Sequence, residues 1–183
     1  MTDHIIELER DKWQDHLLEF RYISHYYYDV EVANNNGNFK VSFIKKPFDI
    51  PYVKTPHDSD RLFQPYLEKP RAWGIIDNGQ LIAAIETHTE EWSNRLIVSE
   101  LWVHDDYRRK GIASALMNFA VKRAKDEKRR ALKLETQSCN EGGIAFYLNY
   151  GFNLIGFDTC AYQNDDIARK EVRMELGMLF DYD

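Results

Sequence analysis

The sequence predicts an α/β fold of the α+β kind: a mixed, mostly antiparallel sheet with a central parallel strand pair and flanking helices. Three observations predict it. From residue 71 onward, strand and helix patterns succeed one another with short breaks. Two of the strand patterns are joined by Asn78-Gly79, a favoured two-residue hairpin turn. A strand pattern, an amphipathic helix and a further strand follow over residues 95–138, a β-α-β unit whose strands run side by side in one direction.

Each element can be justified in order. Residues 12–20, "KWQDHLLEF", read as a short amphipathic helix. "YISHYYYDVEVA" (22–33) and "NFKVSFIKK" (38–46) flank the turn-rich "NNNG", which predicts a hairpin. Residues 50–70 are broken by prolines and are expected to wrap the surface, with a helical turn after Asp58. "RAWGIID" (71–77), "QLIAAIETHTEEW" (80–92) and "RLIVSELWVH" (95–104) are strand patterns. Gly111 to Lys125 reads as a helix with Ile112, Leu116, Phe119, Ala120 and Ala124 on its apolar stripe. "RALKLETQS" (130–138) is the next strand. "GGIAFYLNY" (142–150) is a helix stopped by Gly151 at the position a C-terminal cap favours. Residues 152–163 and 169–180 close the sheet as two strands, expected to be antiparallel.

The 183 residues suit a single domain, 1–183, with an irregular, aromatic-rich part over 1–70 and a regular core over 71–180. Hydrophobic content of 44% and charged content of 30% describe a soluble globular chain, with no segment as long as a membrane span. The charged N-terminus lacks the apolar stretch of a secretory leader. Cys139 and Cys160 cannot form a disulfide framework or a zinc site and are expected as free thiols, which points to a cytoplasmic location and no metal. The formal charge of −6 disfavours nucleic acid as a partner and suits a cationic small molecule, although solubility alone explains such a charge as well.

Against that acidity stands "DDYRRKGIASAL" (105–116). A strand ending at Val103, a polar turn and then Gly111 leading a helix is an arrangement that binds phosphate. The first N–H groups of a helix lack intrahelical partners, and the helix dipole adds positive potential there. Gly111 lets backbone approach an anion with no Cβ in the way. Ala113 and Ser114 keep the next turn small, Ile112 begins the apolar stripe, and Arg108, Arg109 and Lys110 supply charge. A nucleotide P-loop and a dinucleotide fingerprint both need more glycines than this turn has. Alternatively, the basic run is a solvated loop and Gly111 an ordinary turn residue.

The spacing Arg108-x-x-Gly111-x-Ala113 fits [RQ]-x-x-G-x-[GA], and Asn140, Tyr147, Gly151 and Phe152 fit a second signature, N-x(6)-Y-x(3)-G-F. In these two motifs the sequence resembles the GCN5-related N-acetyltransferase (GNAT) superfamily, over residues 71–180 and only weakly before. The resemblance implies the fold of that superfamily and acetyl-CoA as cosubstrate, its pyrophosphate on the Gly111 turn. It implies backbone contacts from Leu101, Trp102 and Val103 to the pantetheine arm, one of them to the developing oxyanion. Asn140 would contact the cofactor arm, and Tyr147 would be the acid that protonates the leaving thiolate. Asn140 can equally be a helix N-cap, and Tyr147 an aromatic core residue beside Ile144, Phe146 and Leu148. Gly143 stands where an alanine is common, a departure that would loosen the helix start.

Transfer to an amine also needs a base, since an ammonium with a pKa near 10.4 is no nucleophile at neutral pH. Glu100 and Glu135 compete for that role. Alternation with period two puts Glu100 on the face of Val98 and Trp102. Glu135 alternates with Leu134 ahead of Asn140.

Thr136, Gln137, Gly156, Asp158, Thr159 and Tyr162 carry a narrower resemblance to the streptothricin acetyltransferases, which implies the β-lysine amino group of streptothricin as acceptor. Glu86 and Asp158, with Glu90 and Glu91, are then candidates to line an acidic cleft, and "SHYYYDVE" offers aromatic faces. The alternatives are a protein N-terminal or lysine acetyltransferase and a non-catalytic acyl-CoA sensor. A homodimer through the last strands is a further expectation.

Overall fold

The computed structural model describes residues 4–182, so Met1–Asp3 at the head of the charged N-terminus lie outside the described residues. In chain order the elements are β1 (Ile6–Leu8), α1 (Arg10–Trp13), β2 (Tyr22–Asn35), β3 (Asn38–Lys54), β4 (Arg71–Asp77), β5 (Gln80–Glu90), β6 (Arg95–Val103), α2 (Ile112–Asp126), β7 (Ala131–Gln137), α3 (Glu141–Tyr150), β8 (Asn153–Asp158), α4 (Asp166–Arg169) and β9 (Arg173–Leu179). The chain divides into two compact units. One holds the residues through Arg21, Thr55–Leu134 and those from Gly177 on; the other holds Tyr22–Lys54 and Glu135–Leu176.

The first unit is a sheet in the order β1, β4, β5, β6, β7. β4 and β5 are antiparallel and pair from Arg71–Thr87 to Asp77–Gln80. Asn78 and Gly79 both take positive φ, 48° and 78°, as the expected hairpin turn requires. β5 pairs antiparallel with β6, and β6 pairs parallel with β7 from Arg95–Ala131 to Val98–Leu134. The β-α-β unit is therefore as expected, with α2 as its crossover.

One side of α2 is buried through Ile112, Leu116, Met117, Ala120 and Ala124. Met117 takes the place expected of Phe119, which lies half-exposed against Trp73 with ring centroids 4.9 Å apart. Another apolar cluster joins Leu8, Leu18, Leu62, Phe63, Ala72, Leu81, Ala84 and Trp102.

Leu18, Leu62 and Phe63 in that cluster correct two expectations. Residues 12–20 do not form a helix; α1 ends at Trp13 and the chain then extends. Of residues 50–70, expected to wrap the surface with a helical turn after Asp58, 50–54 belong to β3 and the rest form no helix; 55–70 lie mostly exposed or half-exposed, but Leu62 and Phe63 are buried. Backbone bonds knit the two stretches: Asp15 N–H to Leu62 O, Leu62 N–H to His16 O, and Leu18 N–H to Asp60 O. A helix this short has little stability of its own, so tertiary pairing overrides its amphipathic pattern.

The second unit carries the β2–β3 hairpin, which turns at Asn36 and Gly37 with φ 50° and 81°. β3 runs on to Lys54, well past the expected end at Lys46, and contains both Pro47 and Pro51. A two-stranded ribbon has a free edge on each strand, so a missing proline N–H costs no ladder bond there. Asp29 accepts from Lys46 Nζ at 2.5 Å and Lys170 Nζ at 3.3 Å, and Tyr28 N–H donates to Ser138 O. In this unit α3 follows β7, and the strand order continues β7, β9, β8. The closing strands are shorter than expected. Between them lies α4, which the sequence reading omitted; the buried Asp166 carboxylate holds its approach by accepting from the N–H groups of Tyr162 and Gln163.

Candidate active site

In the first unit, β6 delivers Leu101, Trp102 and Val103 to the turn before α2. Trp102 is buried, and its indole N–H donates to Glu19 O at 3.1 Å. The turn holds itself together with the side chains expected to meet an anion. Arg108 donates through Nε to Val103 O and through Nη1 to Arg21 O, at 3.1 and 2.6 Å, and pairs with Asp105 at 2.7 Å. Lys110 Nζ donates to Asp106 O at 2.8 Å and lies over the Tyr107 ring. Arg109 is exposed, and its backbone takes φ 62°.

Gly111 is the N-cap of α2 with φ 79°, and nothing lies within 4 Å of where a Cβ would be. Ile112 points into the core, while Ala113 and Ser114 are half-buried and bulk-free at the helix start. The open volume at Gly111 lies at the start of this long helix, next to the exposed Arg109. Unpaired first-turn N–H groups, the helix dipole and a nearby guanidinium are the features by which a helix start can accept an anion. Arg108 serves the shape of the turn.

Glu100 reaches its position through an irregularity. Glu86 pairs with Glu100, but Thr87 pairs with Val98, so Ser99 is an extra residue on β6. Such a bulge reverses the alternation of side chains. Directly opposed residues share a face. Thr87 contacts Arg123 of α2, which places Val98 on the helix side. Ala84, opposite Trp102, belongs to the cluster with Leu62 and Phe63. Glu100 therefore shares a face with Trp102, as expected, and not with Val98.

The acids expected to line a cleft divide sharply. Glu86 is fully buried; its Oε1 accepts from Phe63 N–H at 2.6 Å and its Oε2 from Ser99 Oγ at 2.8 Å. Burial raises its pKa above the ordinary carboxylate value, against the lowering pull of those two bonds. The expected place on a cleft wall is thus corrected: a carboxylate with no exposed surface cannot touch a substrate. Glu90 is taken up by Ser93 and Arg95, and Glu91 pairs with Arg129 at 2.9 Å.

In the second unit, Asn140 is the N-cap of α3. Its Oδ1 accepts from Gly143 N–H at 3.1 Å, and its Nδ2 donates to Thr136 Oγ1 at 3.0 Å. A Cβ on Gly143 would stand 2.5–2.9 Å from the Asn140 carboxamide. The glycine at this position therefore tightens the helix start instead of loosening it. Gly151, φ 111°, ends α3, with Phe152 N–H bonded to Tyr147 O. Tyr147 is half-buried, its ring set edge-on to Phe146 and Phe152. Only Ile144 of this helix is buried, and Leu148 is exposed. Next to the cap, burial pushes the Cys139 thiol up to about 11 and raises Tyr22 and Tyr52 for the same reason.

Glu135 and Asp158 come together with two residues that the sequence reading missed. Arg173 lies 3.6 Å from Glu135, 3.5 Å from Asp158 and 3.6 Å from Glu175. Alternation along "RMEL" places Arg173 and Glu175 on one face, which was the available signal. Gly156 leaves room for Glu175: a Cβ there would be 2.8 Å from its carboxylate. Asp158 also accepts from Cys160 N–H, which lowers its pKa. The aromatic "YYY" run splits between uses. Tyr27 packs on Phe48 at 4.6 Å, and Tyr26 lies exposed under Lys45. Among the described residues no group of three or more His, Cys, Asp or Glu is placed to hold a metal, and no helix is long and apolar enough to cross a membrane.

Known proteins resemble this chain along much of its length. Streptothricin acetyltransferase A of Bacillus subtilis (strain 168) is 29% identical over 131 residues, covering 70% of this chain and 75% of that protein. A streptothricin acetyltransferase of Escherichia coli is 26% identical over 151 residues, covering 82% and 79%. A crystal structure of a Bacillus anthracis str. Ames protein assigned as a streptothricin acetyltransferase, in complex with acetyl coenzyme A, shares the fold with a TM-score of 0.73. It is 22% identical, with 97% of each chain covered. Residues 41–152, more than half of the chain, match the Acetyltransferase (GNAT) family. With the parallel β6–β7 pair, the open Gly111 turn and the Asn140-capped helix in place, the chain belongs to the GNAT family and is an N-acetyltransferase.

Proposed function

We propose that this enzyme transfers the acetyl group of acetyl-CoA to an amine of a small cationic molecule, the β-lysine amino group of streptothricin. The observation that carries the cosubstrate is the Gly111 turn, where left-handed glycine, open space and the first amides of α2 coincide. The acceptor rests on the similarity to the two streptothricin acetyltransferases above, together with the resemblance that Thr136, Gln137, Gly156, Asp158, Thr159 and Tyr162 carry in the sequence.

In this reading acetyl-CoA supplies the activated thioester. Backbone N–H groups of Leu101–Val103 hold the pantetheine arm, and one of them stabilises the oxyanion as the amine attacks; such a fixed donor contributes about 3 kcal/mol to the transition state. Glu100 or Glu135 takes the proton from the ammonium, and the Tyr147 hydroxyl returns one to the departing thiolate. Arg109 and the α2 amides bind the pyrophosphate. Arg173, Glu135, Asp158 and Glu175 present three carboxylates and one guanidinium, a net negative set suited to a cationic acceptor.

The test is coenzyme A release from acetyl-CoA, followed across streptothricin, aminoglycosides, polyamines and peptides with free N-termini. Turnover with streptothricin at the highest kcat/KM is expected. Silence on streptothricin with turnover of a peptide would move the assignment to protein acetylation.

A further inference from the structure

The buried Glu86 has no use in the steps above, yet it stands directly opposite one of the two candidate bases, Glu100, on the neighbouring strand. Its two oxygens have different partners. Oε2 accepts from the hydroxyl of Ser99, the extra residue of the β6 bulge, and Oε1 accepts from the N–H of Phe63. Phe63 holds φ 59°, a left-handed backbone that is rare for an aromatic residue, while its side chain is buried. That backbone is held in turn by neighbouring bonds from Leu62 N–H to His16 O and from Asp15 N–H to Leu62 O. One carboxylate thus ties the bulge on β6 to a braced segment packed against the sheet.

The bulge matters because of what it sets. Without Ser99 as an extra residue, simple alternation would return Glu100 to the helix side with Val98. With it, Glu100 shares the face of Trp102, and the backbone from Glu100 to Val103 continues past the last β6–β7 pair at Val98–Leu134. Bulges kink a strand and re-aim its side chains, but an extra residue has no ladder partner of its own and needs another anchor. Here the anchor is a fully buried acid. An ionisable group held in the core against its desolvation cost points to a positional requirement that an apolar residue would not meet.

We propose that Glu86 is a positioning residue of this acetyltransferase: its carboxylate, clamped between Ser99 Oγ and Phe63 N–H, fixes the β6 bulge and so the aim of Glu100 and of the Leu101–Val103 backbone donors. The inference rests on the reading of β6 as the strand that serves the reaction. It replaces a substrate contact for Glu86 with a role through Ser99.

Three variants test it: S99A, which removes the bulge-side bond alone; E86D, one methylene too short to reach both partners; and E86Q, whose carboxamide accepts from Phe63 and donates to Ser99. Thermal melting establishes that each is folded. S99A and E86D should lower kcat about tenfold to a hundredfold, the loss a displacement of about 1 Å produces, with acceptor KM within about threefold of the wild type. E86Q should recover most of that loss. Amide hydrogen exchange of residues 99–103 should accelerate in S99A and E86D and return towards the wild-type rate in E86Q. Wild-type kcat in folded S99A and E86D overturns the proposal, as does a loss in E86Q equal to that in E86D. If the wild type acetylates none of the acceptors, the functional reading fails instead. The exchange measurement still decides the clamp, and equal protection in wild type and S99A refutes it.

Discussion

The two strand-to-helix turns that carry the motifs both depend on a glycine, for opposite reasons. At Gly111 the backbone is left-handed and the space beside it is empty to 4 Å. At Gly143 the space is filled by the protein's own Asn140 carboxamide, which a methyl group would strike. The first glycine stands beside open space and the second beside a cap. Their surroundings differ in the same sense. At the first turn Arg108 and Lys110 donate to backbone carbonyls of Val103, Arg21 and Asp106. The second closes on itself through Asn140 and Thr136 and sets the helix that bears Tyr147. A short motif therefore states that a glycine is needed; what the vacated volume is for depends on the neighbours.

If the first turn serves binding and the second helix serves chemistry, substitutions should separate the two in kinetics. The largest effect belongs to Tyr147→Phe, which should lower kcat about a hundredfold or more and leave acetyl-CoA KM nearly unchanged, as loss of a general acid does. Steady-state rates with saturating acceptor check it, and unchanged turnover removes Tyr147 as the acid. Gly111→Val should act in the opposite column. A β-branched residue resists the 79° backbone and fills the open volume, so KM for acetyl-CoA should rise about tenfold, with a smaller change in kcat. Calorimetric titration with coenzyme A reads the same loss, and normal affinity would end the phosphate-cradle reading.

Gly143→Ala should affect stability before kinetics. The new methyl displaces the Asn140 cap, so the protein should lose about 1 kcal/mol, seen as a melting temperature lower by a few degrees. Gly111→Ala tests the contrast directly, because there only the backbone conformation resists and no atom is struck. Equal melting loss by the same route at both sites, with Asn140 undisturbed in each, would erase the distinction drawn above.

The smallest effect is one of pH. Burial raises the pKa of Glu86 above 4.5, with Arg10 pulling it down and Glu100 standing opposite on β6. Between the unfolded value and the raised native one, the folded state binds more protons than the unfolded state. Stability from this group is then present below pH 4.5 and is lost as pH rises through the native pKa. Melting profiles of the wild type and E86Q should therefore diverge as pH rises, with E86Q the more stable at neutral pH. Parallel profiles would show that Glu86 ionises without cost.

Much of this was readable from residue patterns. The Asn78-Gly79 and Asn36-Gly37 turns, the α2 stripe and the β-α-β order follow from local conformation and from periodicity, which one segment can express by itself. The misreadings share a cause. Residues 12–20 look like a helix and 50–70 like a surface wrap when each is taken alone, whereas Leu18, Leu62 and Phe63 are buried in one cluster. Counting in twos puts Glu100 on the face of Val98, and one extra residue, Ser99, invalidates the count. Arg173 and Glu175 share a face by the same counting rule, but three strands must be side by side before their meeting with Glu135 and Asp158 can be seen.

By itself, the sequence determined the order and type of the regular elements, the two motif turns and the family, because backbone preferences and short spacings act within a few residues. The tertiary structure decided what each charged group is for. A carboxylate's role depends on desolvation and on donors that come from distant parts of the chain. That is why Glu86, Glu91 and Glu135, alike as letters, became a buried clamp, a surface ion pair with Arg129 and an exposed acid beside Arg173.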